Sequence, residues 1–389
     1  MMKKYIYLCI MAAAALLSGC KKSLEYRDVI YFTGSEGSPV TSMYLDGPSS
    51  MGFSVTSSCR AEEDITVTVA VDGAALEDFN RNNGTSYALL PESSYTISSL
   101  NPVIKGGSSV SEPFFLEINA LDDLEEGVLY CLPMKITETS NGMEILEVSK
   151  FKYVTINQII TTKAAATANS TSGYTGNNYF TVPTMVLNEN LRDLGVCTME
   201  CRVYMNAFYP ANHNPGIATV MGQEERFLIR FGDISCDNDQ IQIAGRGASL
   251  TSKSHFSTGR WYHVAAIDNG SFITLYVDGE VEGQINSSGK SAIDLGWDWE
   301  GGFAIGNSCG NRTMNGYLSE MRIWQRELSP VELKNNQCYV DPASPGLIAY
   351  WRFNGSDGTT VPDLTGHGYD AVAARAIRWI ENVKCPEVN

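Results

Sequence analysis

The sequence predicts an all-β protein made of two sandwich domains. Its 389 residues suffice for two domains of about 100 to 200 residues each. Residues 65–71 alternate apolar β-branched with small or polar side chains, the period of a half-buried strand. Similar short runs, separated by polar and glycine-rich turns, recur in both halves of the chain. This pattern is typical of all-β sandwiches.

In the first half, further strands are predicted at 29–33, 114–118, 129–136 and 151–156. Asp72 can cap a short helix over 74–80, and Asn83-Gly84 supplies a left-handed stop. Short strands with one minor helix favour an immunoglobulin- or fibronectin-like sandwich over 28–160. The small and polar run at 161–176 lacks any apolar period, so it is predicted as a linker.

The second half, 177–389, carries stronger local signals. Asp278-Gly279 separates two alternating runs, which predicts a hairpin with a type I′ turn. Ser329, Pro330 and Glu332 have the spacing of a capping box that begins a helix. Residues 316–324 form a further predicted strand.

The charge and composition of the chain argue against one class of function and indicate where the functional site lies. With 44 acidic and 28 basic side chains, the formal net charge is −16, which argues against binding duplex nucleic acid. All six tryptophans and all four histidines lie beyond residue 200. We therefore look for the functional site in the second half.

The N-terminus has the form of an export signal. Lys3 and Lys4 precede an apolar run over 5–17 that is too short to span a bilayer. The run ends in Leu17-Ser18-Gly19-Cys20, which resembles a bacterial lipobox. The resemblance implies removal of residues 1–19, acylation of Cys20, a tether over 20–27, and a lipid anchor in the outer membrane, exposed at the cell surface. An ordinary secretory signal and a periplasmic orientation stay open as alternatives.

Eight cysteines follow Cys20. An envelope location permits disulfides, but their connectivity is not readable from sequence. We expect structural bridges or buried free thiols.

Two stretches of the sequence resemble known families. The run from Asp72 to Tyr95 resembles an uncharacterised domain found near the N-terminus of surface lipoproteins in glycan-foraging bacteria. Related domains precede endoglycosidase modules that release N-linked glycans. The resemblance covers about residues 28–155 and implies a spacer without catalytic residues.

The second resemblance is carried by the segments at 261–265, 275–279, 303–306 and 316–324. Their order and spacing resemble the laminin-G-like, concanavalin A-like jelly-roll family. The resemblance implies that His263 and Glu320 are structural, and Trp261, Trp324 and Trp351 are expected in the core.

No catalytic residue is predicted. Jelly-roll glucanases carry Glu-x-Asp-x-x-Glu on one strand, where two carboxylates flank the glycosidic bond, and this run is absent from the sequence.

Binding is the favoured function, because lectin sites pair flat aromatic rings with polar groups that meet sugar hydroxyls. Trp297, Asp298 and Trp299 in a glycine-flanked loop are the first candidates. Tyr209 and His213 form a second aromatic-polar loop, and Arg312 lies in a third. The alternative is that these side chains only anchor their loops.

Calcium is a further candidate ligand, because hard oxygen donors cluster at Asp233, Asp237, Asn238 and Asp239. A polar turn is the alternative.

Together these features predict a membrane-anchored lipoprotein that captures glycans, N-linked glycans foremost, for degradation or uptake. Its expected partners are an uptake transporter or an endoglycosidase. An adhesin that binds protein and a diverged glycoside hydrolase remain alternatives.

Overall fold

The computed structural model describes residues 27–168, 176–210 and 216–387. The predicted signal peptide, Cys20 and most of the tether lie outside the described residues. The first domain contains these strands and one helix: β1 Val29–Phe32, β2 Val40–Leu45, β3 Ser49–Phe53, β4 Val55–Ser57, β5 Ile65–Val71, α1 Ala74–Asn83, β6 Ala88–Leu89, β7 Tyr95–Ile97, β8 Val103–Ile104, β9 Phe114–Ile118, β10 Tyr130–Thr139, β11 Glu144–Ile145 and β12 Phe151–Gln158.

A mainly antiparallel sheet of order β2-β12-β10-β5-β8 forms one part of this domain, and β6 adds to β10. Two three-stranded sheets, β11-β1-β4 and β3-β9-β7, complete it. The alternation predicted over 65–71 is confirmed, because Ile65, Val67 and Val69 point into the core. The first domain is therefore all-β apart from one helix, as the sequence predicts.

Helix α1 lies close to its predicted position. Gly84 ends it with a left-handed φ of 64°, and its N–H donates to the Asn80 carbonyl. Leu76 and Phe79 are buried, and the ring of Phe79 stacks on Tyr153 with centroids 4.3 Å apart. Packing of this narrow apolar face holds the helix on the sheet.

The second domain contains the remaining elements: β13 Ile160–Ala166, β14 Phe180–Thr181, β15 Cys197–Met205, β16 Ala218–Gln223, β17 Phe227–Asp233, β18 Cys236–Gly245, β19 Ala248–Thr251, β20 Trp261–Asp268, β21 Phe272–Val277, β22 Glu280–Asn286, β23 Ala304–Ile305, β24 Gly316–Trp324, α2 Pro330–Asn335, β25 Leu347–Trp351, β26 Thr360–Val361, β27 Ala371–Ala373 and β28 Arg378–Cys385.

Two eight-stranded sheets pack face to face around one apolar core. The first sheet has the order β22-β21-β20-β15-β24-β13-β28, with β25 beside β24. The second has the order β19-β18-β17-β16-β23-β14-β27-β26. Non-sequential neighbours in both sheets give the jelly-roll connectivity that the resemblance implies.

The prediction of a linker at 161–176 needs correction. Residues 161–166 belong to β13, which lies between β24 and β28 in the first sheet. Small side chains allow this close packing, and Ala164 and Ala165 are fully buried. The absence of large apolar residues therefore misled the prediction, while 169–175 lie outside the described residues.

Two local predictions in the second domain are confirmed. Asp278 and Gly279 both have positive φ, 51° and 80°, as a type I′ turn between β21 and β22 requires. Ser329 and Glu332 form the capping box at the start of α2. These signals depend on neighbouring residues alone, so the sequence contains them.

One disulfide joins Cys338 to Cys385. It ties the segment after α2 to the end of β28. The other cysteines of the described residues are free: Cys59, Cys131, Cys197, Cys201, Cys236 and Cys309. Burial raises the pKa of Cys131 to about 12, so its thiol is unreactive at neutral pH.

A network of buried charged and polar side chains lies on the outer face of the first sheet. Glu200 accepts hydrogen bonds from Arg322 at 3.1 Å, from the Trp324 indole at 2.9 Å, and bonds His263 at 3.1 Å. All four side chains are nearly or wholly inaccessible to solvent. Burial opposes ionisation of Glu200, but Arg322 and His263 outweigh it and lower its pKa. His263 is therefore a packed, hydrogen-bonded residue, as expected.

Among the described residues, no helix combines the length and apolar character needed to cross a membrane.

We predict that Glu200→Gln lowers the free energy of unfolding by about 3 kcal/mol, because the buried Arg322 loses one of its two carboxylate partners and keeps only Glu320. Urea denaturation followed by circular dichroism measures the change. Glu147→Gln is the control: its pair with Lys150 is solvent-exposed on the Glu147 side, so the expected change is within about 0.5 kcal/mol. Equal effects of the two variants would contradict a structural role for the network.

Candidate functional site

Three loops that adjoin strands β16, β17 and β23 of the second sheet bring most of the predicted binding residues together. They are the turn 223–226 between β16 and β17, the loop 296–302 before β23, and the loop 307–312 after β23. We call this region the rim site.

The two tryptophans of the rim site stack on each other. The rings of Trp297 and Trp299 have centroids 5.5 Å apart and an interplanar angle of 17°. The Arg226 guanidinium lies 3.8 Å from the Trp297 ring centroid, a cation–π contact. Trp299 is 38% exposed, and Asp298 beside it is exposed. The loop therefore presents an indole to solvent on a rigid support.

Backbone geometry fixes this loop. Glu300, Gly301 and Gly302 all have positive φ, which turns the chain back toward β23. A Cβ on Gly302 would lie 2.5 Å from Val186, so this position also needs glycine for close packing. The Gln223 amide donates to the Trp299 carbonyl at 3.2 Å and holds the loop on the β16–β17 turn.

Beside the tryptophans lies a buried carboxylate. Glu224 is 4% exposed, and its Oε1 accepts from Arg312 at 2.7 Å and from Arg230 at 3.4 Å. Arg312 keeps 30% of its side chain exposed. Burial, followed by the charge of Glu224, raises the pKa of the neighbouring Cys309 thiol. The ion pair between Glu224 and Arg312 thus joins loops 223–226 and 307–312.

Three buried acceptor atoms at the rim site lack a hydrogen-bond partner among the described residues: Gln223 Oε1, Glu224 Oε2 and Asn307 Oδ1. Buried polar atoms are nearly always paired, so unpaired ones indicate a place for water or ligand donors. These acceptors, next to an exposed indole, can receive hydroxyl groups from a bound molecule.

The other predicted ligand residues lie elsewhere. Tyr209 is buried in the core, and its hydroxyl donates to the Thr313 carbonyl, so its ring packs rather than meets a ligand. His213 falls in 211–215, outside the described residues. Trp324 and Trp351 are buried as expected, whereas Trp261 is half-buried, which corrects its placement in the core.

The four predicted calcium ligands do not fit one cation site. Asp233 pairs with Arg230 at 2.7 Å. The Asn238 amide donates to the carbonyls of Tyr209 and Pro210, on the face of β18 opposite to Asp237 and Asp239. Only Asp237 and Asp239 converge, and their third neighbour is His255, which hydrogen-bonds Asp239 at 2.8 Å.

Sequence reasoning missed Gln223, Glu224 and Arg226. They form a polar turn between two apolar strands, a pattern that marks many hairpins without function. The turn becomes part of the rim site only through contacts with residues far along the chain. Gln223 contacts Trp299, and Glu224 contacts Arg312.

Fold and rim site together define a lectin-like jelly roll joined to an all-β N-terminal domain. Residues 174–334 match the family model of the concanavalin A-like lectin/glucanases superfamily, and residues 26–143 match the model of an N-terminal domain. The second domain of this chain belongs to that superfamily.

Solved structures resemble the chain at low identity. A Bacteroides ovatus protein proposed to bind carbohydrate is 24% identical, with a TM-score of 0.56 over 91% of this chain and 98% of that chain. This likeness establishes a shared two-domain fold. A SAP-like pentraxin from Limulus polyphemus is 12% identical, with a TM-score of 0.36 over 58% of this chain and 98% of its own.

The Bacteroides thetaiotamicron protein EndoBT-3987, solved with a Man5GlcNAc product, is 20% identical, with a TM-score of 0.28 over 34% of this chain and 30% of its own. No curated protein matches the chain significantly.

We predict that His255 titrates above its ordinary pKa, because Asp239 hydrogen-bonds and attracts the protonated ring. A raised folded-state pKa stabilises the fold below the unfolded pKa, and that contribution is lost as pH rises through the folded pKa. NMR titration of the imidazole protons measures it.

In that titration, Asp239→Asn should lower the pKa of His255 toward the ordinary value, and Asp237→Asn, whose carboxylate lies 4.0 Å away, should lower it less. An unchanged pKa in Asp239→Asn would contradict the pairing.

Proposed function

We propose that this protein binds carbohydrate at the rim site. The observation that carries the proposal is the exposed Trp299 ring on loops that also hold three buried acceptors without a partner among the described residues. An indole stacks on the apolar C–H face of a sugar ring, while buried acceptors receive its hydroxyls. The fold shared with the Bacteroides ovatus protein proposed to bind carbohydrate supports this function.

Binding without cleavage fits the rim site better than hydrolysis does. Glycosidic cleavage needs two carboxyl groups that flank the bond, one of them acting as an acid. Glu224, the buried carboxylate of the site, is held by Arg312 and Arg230. Release of reducing sugar from a bound glycan, abolished by Glu224→Gln, would instead support the diverged hydrolase.

We further propose that the protein is a lipoprotein anchored through Cys20 in the outer membrane and exposed at the cell surface. The lipobox-like sequence supports this location. The protein would then capture glycans, N-linked glycans foremost, for an uptake transporter or an endoglycosidase. The first domain would serve as the spacer between the membrane and the lectin-like domain.

We predict that Trp299→Ala weakens binding of the N-glycan fragment Man5GlcNAc at least tenfold, because the stacking surface is lost. A tenfold loss corresponds to about 1.4 kcal/mol. Isothermal titration calorimetry measures the change, and Trp299→Phe should retain part of the affinity.

Phe272→Ala is the matched control, since Phe272 is 40% exposed on β21 of the other sheet. Equal loss in both variants would point to a general defect. Wild-type protein that binds envelope proteins but no glycan of an array would favour the adhesin.

We predict that Cys20 carries the acyl chains. Cys20→Ala should abolish incorporation of labelled palmitate and release the protein from the membrane fraction. Cys59→Ala, which removes a half-buried thiol of the first domain, should leave labelling intact. Palmitate labelling that persists in Cys20→Ala would overturn the anchor.

A further inference from the structure

A continuous groove crosses the outer face of the first sheet, away from the rim site on the second sheet. Three adjoining cavities of about 390, 300 and 340 Å³ form it. Asp278, Gln337 and Pro386 line both the first and the second cavity. Trp261 and Glu387 line both the second and the third. The shared walls make one groove that starts at the junction with the first domain.

Three aromatic rings form the floor at the far end of the groove. Tyr204 of β15 lies directly opposite Trp261 of β20 on one side and Tyr317 of β24 on the other. The ring centroids are 5.6 Å apart for Tyr204 and Trp261, and 4.9 Å for Tyr204 and Tyr317. All three side chains are half-buried. Cross-strand register thus builds an apolar aromatic platform across three strands, in which the Trp261 ring is tilted by 60° from Tyr204.

A buried arginine lies next to this platform. Arg202 is 3% exposed, lines the second cavity, and lies 4.8 Å from the centre of the Trp261 ring. Its Nη2 donates to the Lys384 carbonyl at 3.2 Å, but its buried Nη1 has no partner among the described residues. Burial lowers the pKa of Arg202 to about 10, so the guanidinium is charged at neutral pH. A buried charged donor without an acceptor is costly, and a ligand oxygen would satisfy it.

The charges on the groove walls nearly cancel. Arg260 pairs with Asp278 at 3.0 Å, and the Glu387 carboxylate accepts from the Trp261 amide at 3.2 Å. Lys384 and Glu381, which are opposite in charge, both line the third cavity. Such walls offer hydrogen-bond donors and acceptors together, and their small net charge does not attract an ion of either sign. The ligand that suits them is polar, uncharged and rich in hydroxyl groups.

Aromatic side chains also line the other end of the groove. Tyr44, Tyr87 and Tyr339 line the first cavity, and Tyr44 is 49% exposed. The disulfide between Cys338 and Cys385 fixes the wall between the two ends. Aromatic rings at both ends favour a chain of several sugar units over a single one.

We propose that this groove binds a linear, neutral oligosaccharide that stacks on Trp261, Tyr204 and Tyr317 and accepts a hydrogen bond from Arg202 Nη1. It shares no residue with the rim site. The protein would therefore hold glycans at two separate places, and binding in the groove does not depend on binding at the rim site.

The test is fluorine NMR of the full mature chain labelled with 5-fluorotryptophan. Trp261→Phe and Trp299→Phe assign two of the six resonances, one for each site. The probes are cellohexaose, chitohexaose and mannohexaose as neutral chains, and hexagalacturonate as an acidic chain. We expect at least one neutral probe to shift the Trp261 resonance, and the shift should persist in Trp299→Ala.

Affinity measurements complete the test. Trp261→Ala should weaken binding of that probe at least tenfold, while Phe272→Ala, which removes an exposed ring outside the groove, should bind as the wild type does. Arg202→Lys retains the charge but changes the donor geometry, so it should weaken binding less than Trp261→Ala does. Thermal melting curves check that each variant folds.

Three results would overturn the proposal. The first is a Trp261 resonance that moves with none of the neutral probes. The second is a shift with hexagalacturonate alone, which would make the ligand an anion. The third is probe affinity that Trp299→Ala abolishes and Trp261→Ala leaves unchanged, which would assign all binding to the rim site.

Discussion

A chain of ion pairs, buried except at its last member, links strands of the first sheet of the second domain to the first domain. It runs from Glu200 through Arg322 and Glu320 to Arg352, and ends at Glu126 of the first domain. Because transfer of charged groups from water is costly, each member depends on its neighbours for compensation. The chain therefore fixes β15, β24 and the segment after β25 relative to one another. It also joins the two domains, as does the close packing of Tyr339 on Gly127.

Strand β15 shows how this constraint leads to function. Its inward residues fill the core, while its outward residues each have a different partner. Thr198 bonds the Arg326 carbonyl, Glu200 forms the ionic network, and Arg202 and Tyr204 line the groove. Alternation along a single strand thus places a rigid support next to a binding surface. The network beside the groove supports it, because buried Glu200 is paired with both Arg322 and His263.

Local signals in the sequence predicted much of the fold. The alternation at 65–71, the Asp278-Gly279 turn and the capping box of α2 involve neighbours along the chain, so each was found where expected. The sites depend on distant partners. Alternation along a strand shows which residues share a face, but it does not show whether other elements cover that face. Trp261 was therefore expected in the core. Asp237 and Asn238 adjoin in sequence yet face opposite ways, so only Asp237 and Asp239 of the predicted calcium ligands converge.

Both surfaces contain buried polar atoms without a hydrogen-bond partner among the described residues, and these atoms favour one ligand class. The rim site leaves three acceptors and one donor unpaired: Gln223 Oε1, Glu224 Oε2, Asn307 Oδ1 and Arg226 Nε. The groove leaves a donor unpaired, Arg202 Nη1. A hydroxyl group both donates and accepts, so a polyhydroxylated chain meets the needs of both surfaces. Exposed or half-buried indoles at each surface, Trp299 and Trp261, supply the apolar contact that such a chain also requires.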